Sequence, residues 1–191
     1  TSKVLESVKY SGHEMLSGIP RPVFARAYTD NDEQSGFDLE TSQWMSATIF
    51  SKIRKMETVI NQESRYAMVS YFYEVPILTG AECRVDYFVA APGLIGVDAA
   101  LEGNQILPLV CQVGMEIPLK KQFSSWKYYG LGPMETVIDR QGGAKLDVYQ
   151  TDDSQNVTPY FMPQDCGSRN GIRWMEALDA KGRGMRICML K

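Results

Sequence analysis

Period-two alternation governs this chain. Over residues 66–77, Ala67, Val69, Tyr71, Tyr73 and Val75 fall on one side of an extended backbone. Over residues 82–89, Cys83, Val85, Tyr87 and Val89 point inward, while Arg84 and Asp86 point out. The break at Thr79 and Gly80 makes the two runs a long antiparallel hairpin. Residues 56–63 alternate again, and Val4, Glu6, Val8 and Tyr10 share a face of an opening strand closed by a turn at Ser11-Gly12-His13-Glu14. Residues 107–119 read as another strand, with Pro108 and Pro118 setting its ends at an edge or bend. Residues 145–150 and 173–178 are shorter strands.

Helical signal is sparse. The best stretch is residues 40–47, with Thr41 or Ser42 as cap and Trp44 as the anchor of one face. Residues 34–42 and 150–157 read as long polar loops, the kind that sit at the working end of a sandwich. Strands separated by Gly, Pro, Asn and Asp turns predict an all-β sandwich, one domain over residues 1–191. The last eight residues alternate as a strand, with Met185, Ile187 and Met189 on one face, and no turn or polar tail follows. The expectation is an excised piece of a larger protein, whose last strand offers an open edge to a second copy of itself.

Bulk properties exclude several classes. At 44% apolar and 23% charged, the chain is far from disordered compositions. The net charge is −3 and the Lys and Arg residues are scattered, which argues against a nucleic-acid footprint. No apolar run is long enough to span a membrane, and residues 1–20 lack the pattern of a signal peptide. Cys83, Cys111, Cys166 and Cys188 are widely spaced and read as buried free thiols, with one disulfide as the alternative. A single histidine, His13, and no ligand spacing argue against zinc.

Three clusters carry enough polarity for chemistry. Arg26-Ala-Tyr-Thr-Asp-Asn-Asp-Glu33 puts three acids beside an arginine. As a catalytic pair, Asp30 and Asp32 are poorly placed, because residues two apart in one loop rarely face each other across a glycosidic bond. The structural reading is an Asx-type turn, with Asp30 and Asn31 closing onto backbone amides and Arg26 neutralising the acids. Gly130-Leu-Gly-Pro133 lacks the ending of a phosphate loop and reads as a tight turn of positive φ with Pro133 at its exit. Glu135, Asp139 and Arg140 form either an ion-pair network or a sugar contact. Tyr128, Tyr129, Tyr160, Phe161 and Trp174 are either core packing or a platform for sugar rings. Trp126, Trp174 and residues 130–140 are expected to pack as one corner, with Glu135 or Asp139 meeting Arg140 or Arg169.

The order of these motifs resembles one family. Arg26-Ala-Tyr-Thr-Asp-Asn-Asp32 comes first, then Trp126-x-x-x-Gly-Leu-Gly-Pro-x-Glu-x-x-x-Asp-Arg140, then Tyr160-x-x-Pro-Gln-Asp-x-Gly-x-Arg169, then Arg173-Trp174. Together they resemble the C-terminal sandwich, also called the small chain or domain 5, of large bacterial β-galactosidases of glycoside hydrolase family 2. The match runs from Val4 to Trp174. Ala25, Tyr28, Thr136, Val137, Asp165 and Ser168 depart from the usual family residues and mark a divergent member.

The resemblance implies an antiparallel supersandwich like that of galactose mutarotases, incomplete at its C-terminal end. It implies a bacterial parent, cytoplasmic or periplasmic, that hydrolyses terminal β-D-galactosides with retention. Both catalytic glutamates would lie on a separate TIM-barrel domain, leaving no catalytic residue here. The implied partners are the remaining domains of the parent and a β-galactoside, with a homo-oligomer as a further option. The implied cofactor is none in this chain, and Mg or Na in the parent. The carried-over motif positions are Arg26, Asp30, Asn31, Asp32, Gly130, Gly132, Glu135, Asp139, Arg140, Pro163, Arg169, Arg173 and Trp174, as structural or domain-contact residues. Two alternatives compete. A free-standing carbohydrate-binding module requires natural chain ends, which the strand at Lys191 argues against. A mutarotase-like epimerase requires an acid and a base poised near neutrality, which the single His13 argues against.

Overall fold

The two strongest alternating runs pair as their pattern dictates. The computed structural model describes residues 4–77, 80–91, 93–103 and 107–190. It is built mostly of antiparallel strands, in two compact units, Thr1–Pro118 and Leu119–Lys191. Thr79, one of the two residues expected to break the central hairpin, lies outside the described residues, as does Lys191.

The first unit opens on a small hairpin of β1 (Lys9–Tyr10) and β2 (His13–Glu14). Its turn is Ser11–Gly12, both at positive φ, the geometry of a two-residue hairpin turn. The opening strand is shorter than its alternation suggests. Glu14 Oε1 accepts the Val8 and Leu16 N–H groups at 3.0 Å, so a side chain takes the place of a ladder partner there. β3 (Arg21–Val23) follows, then α1 (Asp30–Ser35) and α2 (Phe37–Phe50). The expected helix at 40–47 is present and extends to 37–50 as α2, while α1 forms where an Asx-type turn was expected, so the unit is not purely β.

The main sheet runs in order β4 (Lys52–Asn61), β5 (Tyr66–Val75), β6 (Ala81–Ala90) and β7 (Leu94–Gly103), all antiparallel. Met56, Tyr71, Val85 and Ala99 form one cross-strand row on its inner face. Tyr71, Tyr73, Val75, Cys83, Val85 and Tyr87 are buried there, as the alternation predicts. Val89 is exposed, at the end of the sheet the core does not reach. Asp86 lies on the opposite face as expected but is nearly covered, held by Arg84 Nε at 2.8 Å. β7 was not foreseen, although Ile95, Val97, Ala99 and Leu101 alternate with Gly96, Asp98, Ala100 and Glu102. The small residues blur the pattern without breaking it.

The expected strand at 107–119 reduces to β8 (Gly114–Glu116), paired with β3. The upstream backbone is drawn to side chains and loops instead. Trp44 Nε1 donates to the Leu109 carbonyl at 2.7 Å, and Cys111 Sγ meets the Phe24 carbonyl at 3.5 Å. Trp44 is fully buried and anchors α2, as expected. Its ring lies 5.7 Å from that of Phe24, within a core cluster that includes Ala47, Tyr71, Tyr73 and Val85. Thr41 and Ser42 are not caps. They sit inside α2 and their hydroxyls bond back to Phe37 and Leu39 carbonyls at 2.7 and 3.0 Å.

The second unit holds one sheet in order β10 (Lys145–Asp152), β9 (Ser125–Gly132), β11 (Trp174–Leu178), β12 (Gly184–Cys188). Tyr149, Tyr128, Met175 and Ile187 form a row across one face. Gly130 and Gly132 lie within β9, without positive φ, so the expected tight turn is a strand. They are needed for close approach instead. A β-carbon on Gly132 would sit 2.6 Å from the Tyr128 hydroxyl and 2.7 Å from the Tyr149 ring. Residues 150–157 are also more ordered than a loop. They finish β10 and close in a 3-10 turn, Asp153–Asn156, capped by Asp152 Oδ1. Among the described residues β12 pairs only with β11, making it a sheet edge.

Because Trp44 is both the centre of the first core and the donor that holds residue 109, Trp44→Ala should destabilise that unit by about 3–5 kcal/mol. Urea unfolding with a tyrosine-fluorescence or circular-dichroism readout measures it.

Candidate functional site

The acidic motif is a helix start. Thr29 caps α1, its hydroxyl accepting the Asp32 N–H at 3.2 Å. Asp32 Oδ2 accepts the Thr29 N–H at 2.8 Å, completing a reciprocal capping box. Arg26 donates to the same Asp32 oxygen at 2.7 Å. Burial acts to raise the Asp32 pKa, but the bonds from Arg26 and Thr29 outweigh it and hold the carboxyl below its ordinary range. Asp30 Oδ1 accepts the Asn31 N–H at 2.9 Å. The expected closure onto a backbone amide is present for the Asp30 side chain, but at a helix N-terminus, and the acid that Arg26 neutralises is Asp32. The motif therefore sets where α1 begins. α1 ends at Gly36, whose φ of 76° is the left-handed conformation that glycine adopts most easily, and α2 starts from the same residue.

The second cluster centres on Glu135. Its side chain is only 6% exposed and is ringed by donors. Arg140 Nη2 lies 2.7 Å from Oε1, and the Thr158 hydroxyl donates to Oε2 at 3.0 Å. The Tyr160 hydroxyl and the Gly167 N–H complete the set. Desolvation is the largest influence on Glu135 and pushes its pKa up. The combined hydrogen bonds and the Arg140 charge win, and the carboxyl is held below its usual value. Tyr160 shifts upward, chiefly because it donates to that carboxylate.

Arg169 forms the other half of the corner. Its Nε donates to the Tyr128 hydroxyl at 3.1 Å, Nη2 to Asn156 Oδ1 at 3.1 Å, and Nη1 to the Ser168 carbonyl at 3.0 Å. Thr136, buried between the two, donates its N–H to the Ser168 carbonyl at 2.9 Å and accepts the Asn170 N–H at 2.7 Å. Glu135 thus meets Arg140, as the motif suggested, while Asp139 is exposed and Pro163 lies on an exposed loop. Asn156, Thr158 and Thr136 were missed from the sequence, since single polar residues in loops carry no spacing signal.

The aromatic set divides. Tyr128 is buried and belongs to the core. Tyr129 and Trp174 pair across β9 and β11 with ring centroids 6.4 Å apart, Arg173 over the first and Arg186 over the second. Trp126 is tied to Asp153 by its indole N–H at 2.6 Å. Phe161 is fully exposed.

Among the described residues, activated nucleophiles do not stand out. Burial pushes the Cys83 thiol up to about 11, away from thiolate chemistry. All four cysteines are free thiols, Cys188 exposed and Cys111 outside any strand. Among the described residues, no group of three or more His, Cys, Asp and Glu side chains is arranged to hold a metal ion.

Comparison with known proteins points one way. The family model described as "Beta galactosidase small chain" matches residues 1–190. A Streptococcus thermophilus β-galactosidase is 35% identical over 186 residues, covering 97% of this chain and 18% of the relative. A Lactobacillus delbrueckii subsp. bulgaricus β-galactosidase is 32% identical, covering 92% of this chain and 17% of the relative. A β-galactosidase small subunit from Latilactobacillus sakei is 29% identical, covering 89% of this chain and 58% of the relative. The chain thus spans under a fifth of the length of the first two relatives.

The two carboxylates yield distinct expectations. Asp32→Ala removes the capping box and the Arg26 pair together and should cost about 1–2 kcal/mol, against under about 0.5 kcal/mol for Asp30→Ala. Chemical denaturation of both variants measures the difference. Glu135 is held ionised in the fold, so its stabilisation is present above its unfolded pKa and lost as pH falls through the lower folded value. Glu135→Gln should therefore flatten the fall in stability below about pH 4, read from denaturation midpoints across a pH series.

Proposed function

The chain belongs to the beta galactosidase small chain family, and we propose from that premise that it is the non-catalytic sandwich portion of an enzyme that hydrolyses terminal β-D-galactosides. The observation that carries the reading is the match over residues 1–190 together with the similarity to β-galactosidases across 97% of the chain. The retaining carboxyl pair would come from a separate TIM-barrel domain, against which this portion packs to complete the active-site region, and any Mg or Na would belong to the parent enzyme. The residues' own chemistry supports a scaffolding role. Asp32 and Glu135 are each committed to several donors within the fold, which leaves neither poised to protonate or attack a glycoside. The four-stranded antiparallel sheets are compatible with a galactose mutarotase-like supersandwich as the finer architecture. The Tyr129–Trp174 pair is the place in this chain where a sugar ring would stack if the domain contacts substrate.

The purified chain alone should not turn over a chromogenic β-galactoside, and the complete enzyme containing it should. Turnover by the isolated chain, abolished by Asp30→Asn or Asp32→Asn, would place the chemistry here and overturn the reading.

A further inference from the structure

Helix α2 carries an outer face unlike that of an ordinary surface helix. At 100° per residue, Leu39, Ser42, Met45, Ser46, Ile49 and Phe50 fall within an arc of about 140°. All six are exposed, Leu39 by 77% and Ile49 and Phe50 by 62% each. Asp38 is the one ionisable residue within that arc. A solvent-facing helix normally carries charge on its outer side, and a helix apolar on both sides is normally covered on both. The inner side, Thr41, Trp44 and Ala47, is already buried in the core.

The neighbouring surface extends the patch. A hollow of about 550 Å³ is lined by Ile49 of α2 together with Ile19, Pro22, Ile53 and Pro118. The first turns of α1 and α2 are acidic, with Asp30, Asp32, Glu33, Asp38 and Glu40, and neither last turn holds a basic residue.

We infer that the outer face of α2 and the adjoining hollow are the seat of the rest of the β-galactosidase polypeptide. This rests on the reading of the chain as the small-chain portion of that enzyme. The occupant follows from length and chemistry. Most of the Streptococcus relative's chain lies outside the stretch that aligns here, and this portion must be held by it. The matching surface is apolar at its centre, opposite Ile49 and Phe50. Cationic groups at its margin would face the acidic first turns of α1 and α2.

The test uses the complete β-galactosidase that contains this chain. A p-benzoylphenylalanine photo-crosslinker is placed at Phe50, where its shape is conserved, and the crosslinked peptides are identified by mass spectrometry. Crosslinks to β-galactosidase sequence outside residues 1–191 are expected. Crosslinks to this same segment of a second copy, or none at all, overturn the inference. Ile49→Cys provides a milder second variant. Its maleimide labelling should be at least tenfold slower in the native enzyme than in the same enzyme unfolded in urea, and an equal rate overturns the assignment. Turnover of a chromogenic β-galactoside by the same preparation separates the two levels. Without turnover the small-chain reading falls and this inference with it. With turnover and a freely labelled Ile49→Cys, only the assigned surface is wrong.

Discussion

The first unit depends on one indole. Trp44 fills the centre of a core made of Phe24, Tyr71, Tyr73, Val85 and Ala47, and its N–H reaches out of that core to the Leu109 carbonyl. An apolar ring with one polar edge is suited to this double duty, since burial is favourable and the buried donor must still find a partner. Phe24 is tied to the same helix through its N–H, which donates to the Thr48 hydroxyl at 2.9 Å. Helix α2, strand β3 and the stretch leading to β8 are thereby fastened at neighbouring points. The hairpin of β5 and β6 supplies the floor on which they rest.

In the second unit the organising group is a carboxylate. Glu135 is withdrawn from water, a change that by itself favours the neutral acid, yet it is held ionised because two hydroxyls, a backbone N–H and a guanidinium converge on it. Donors so arranged bring residues 135, 140, 158, 160 and 167 to one point. Arg169 performs the complementary task from the other side, satisfying the Ser168 carbonyl, Tyr128 and Asn156. A loop rich in Pro, Gly and Asp becomes a defined corner by this means, with its buried polar groups paired rather than left to strain.

Several of the family-motif residues are engaged in these two networks. Arg26 and Asp32 define the start of a helix, and Glu135, Arg140 and Arg169 define a corner. Their residue types look like those of an active site because both tasks require charge held at a fixed position. Each of these charged groups is matched to donors or acceptors within its own unit.

The sequence by itself determined the predominance of strands, the central hairpin and its inward face, the anchoring role of Trp44 and the family, because alternation and ordered motifs are local or cumulative signals. β7 is written in the alternation of Ile95, Val97, Ala99 and Leu101, which Gly96 and Ala100 blur. Tertiary structure decided the rest. Nothing local distinguishes Gly130 and Gly132 in a strand from the same residues in a turn, since it is the Tyr128 and Tyr149 side chains that forbid a β-carbon at Gly132. Residues 107–113 read as strand, but the Leu109 carbonyl is taken by the distant Trp44 indole and the Cys111 thiol by the Phe24 carbonyl. Asp32 rather than Asp30 became the partner of Arg26 because the helix turns its N3 side chain back toward its own cap. Periodicity records which residues can share a face, whereas the choice of hydrogen-bond partner is made in three dimensions, by whichever group the fold brings within reach.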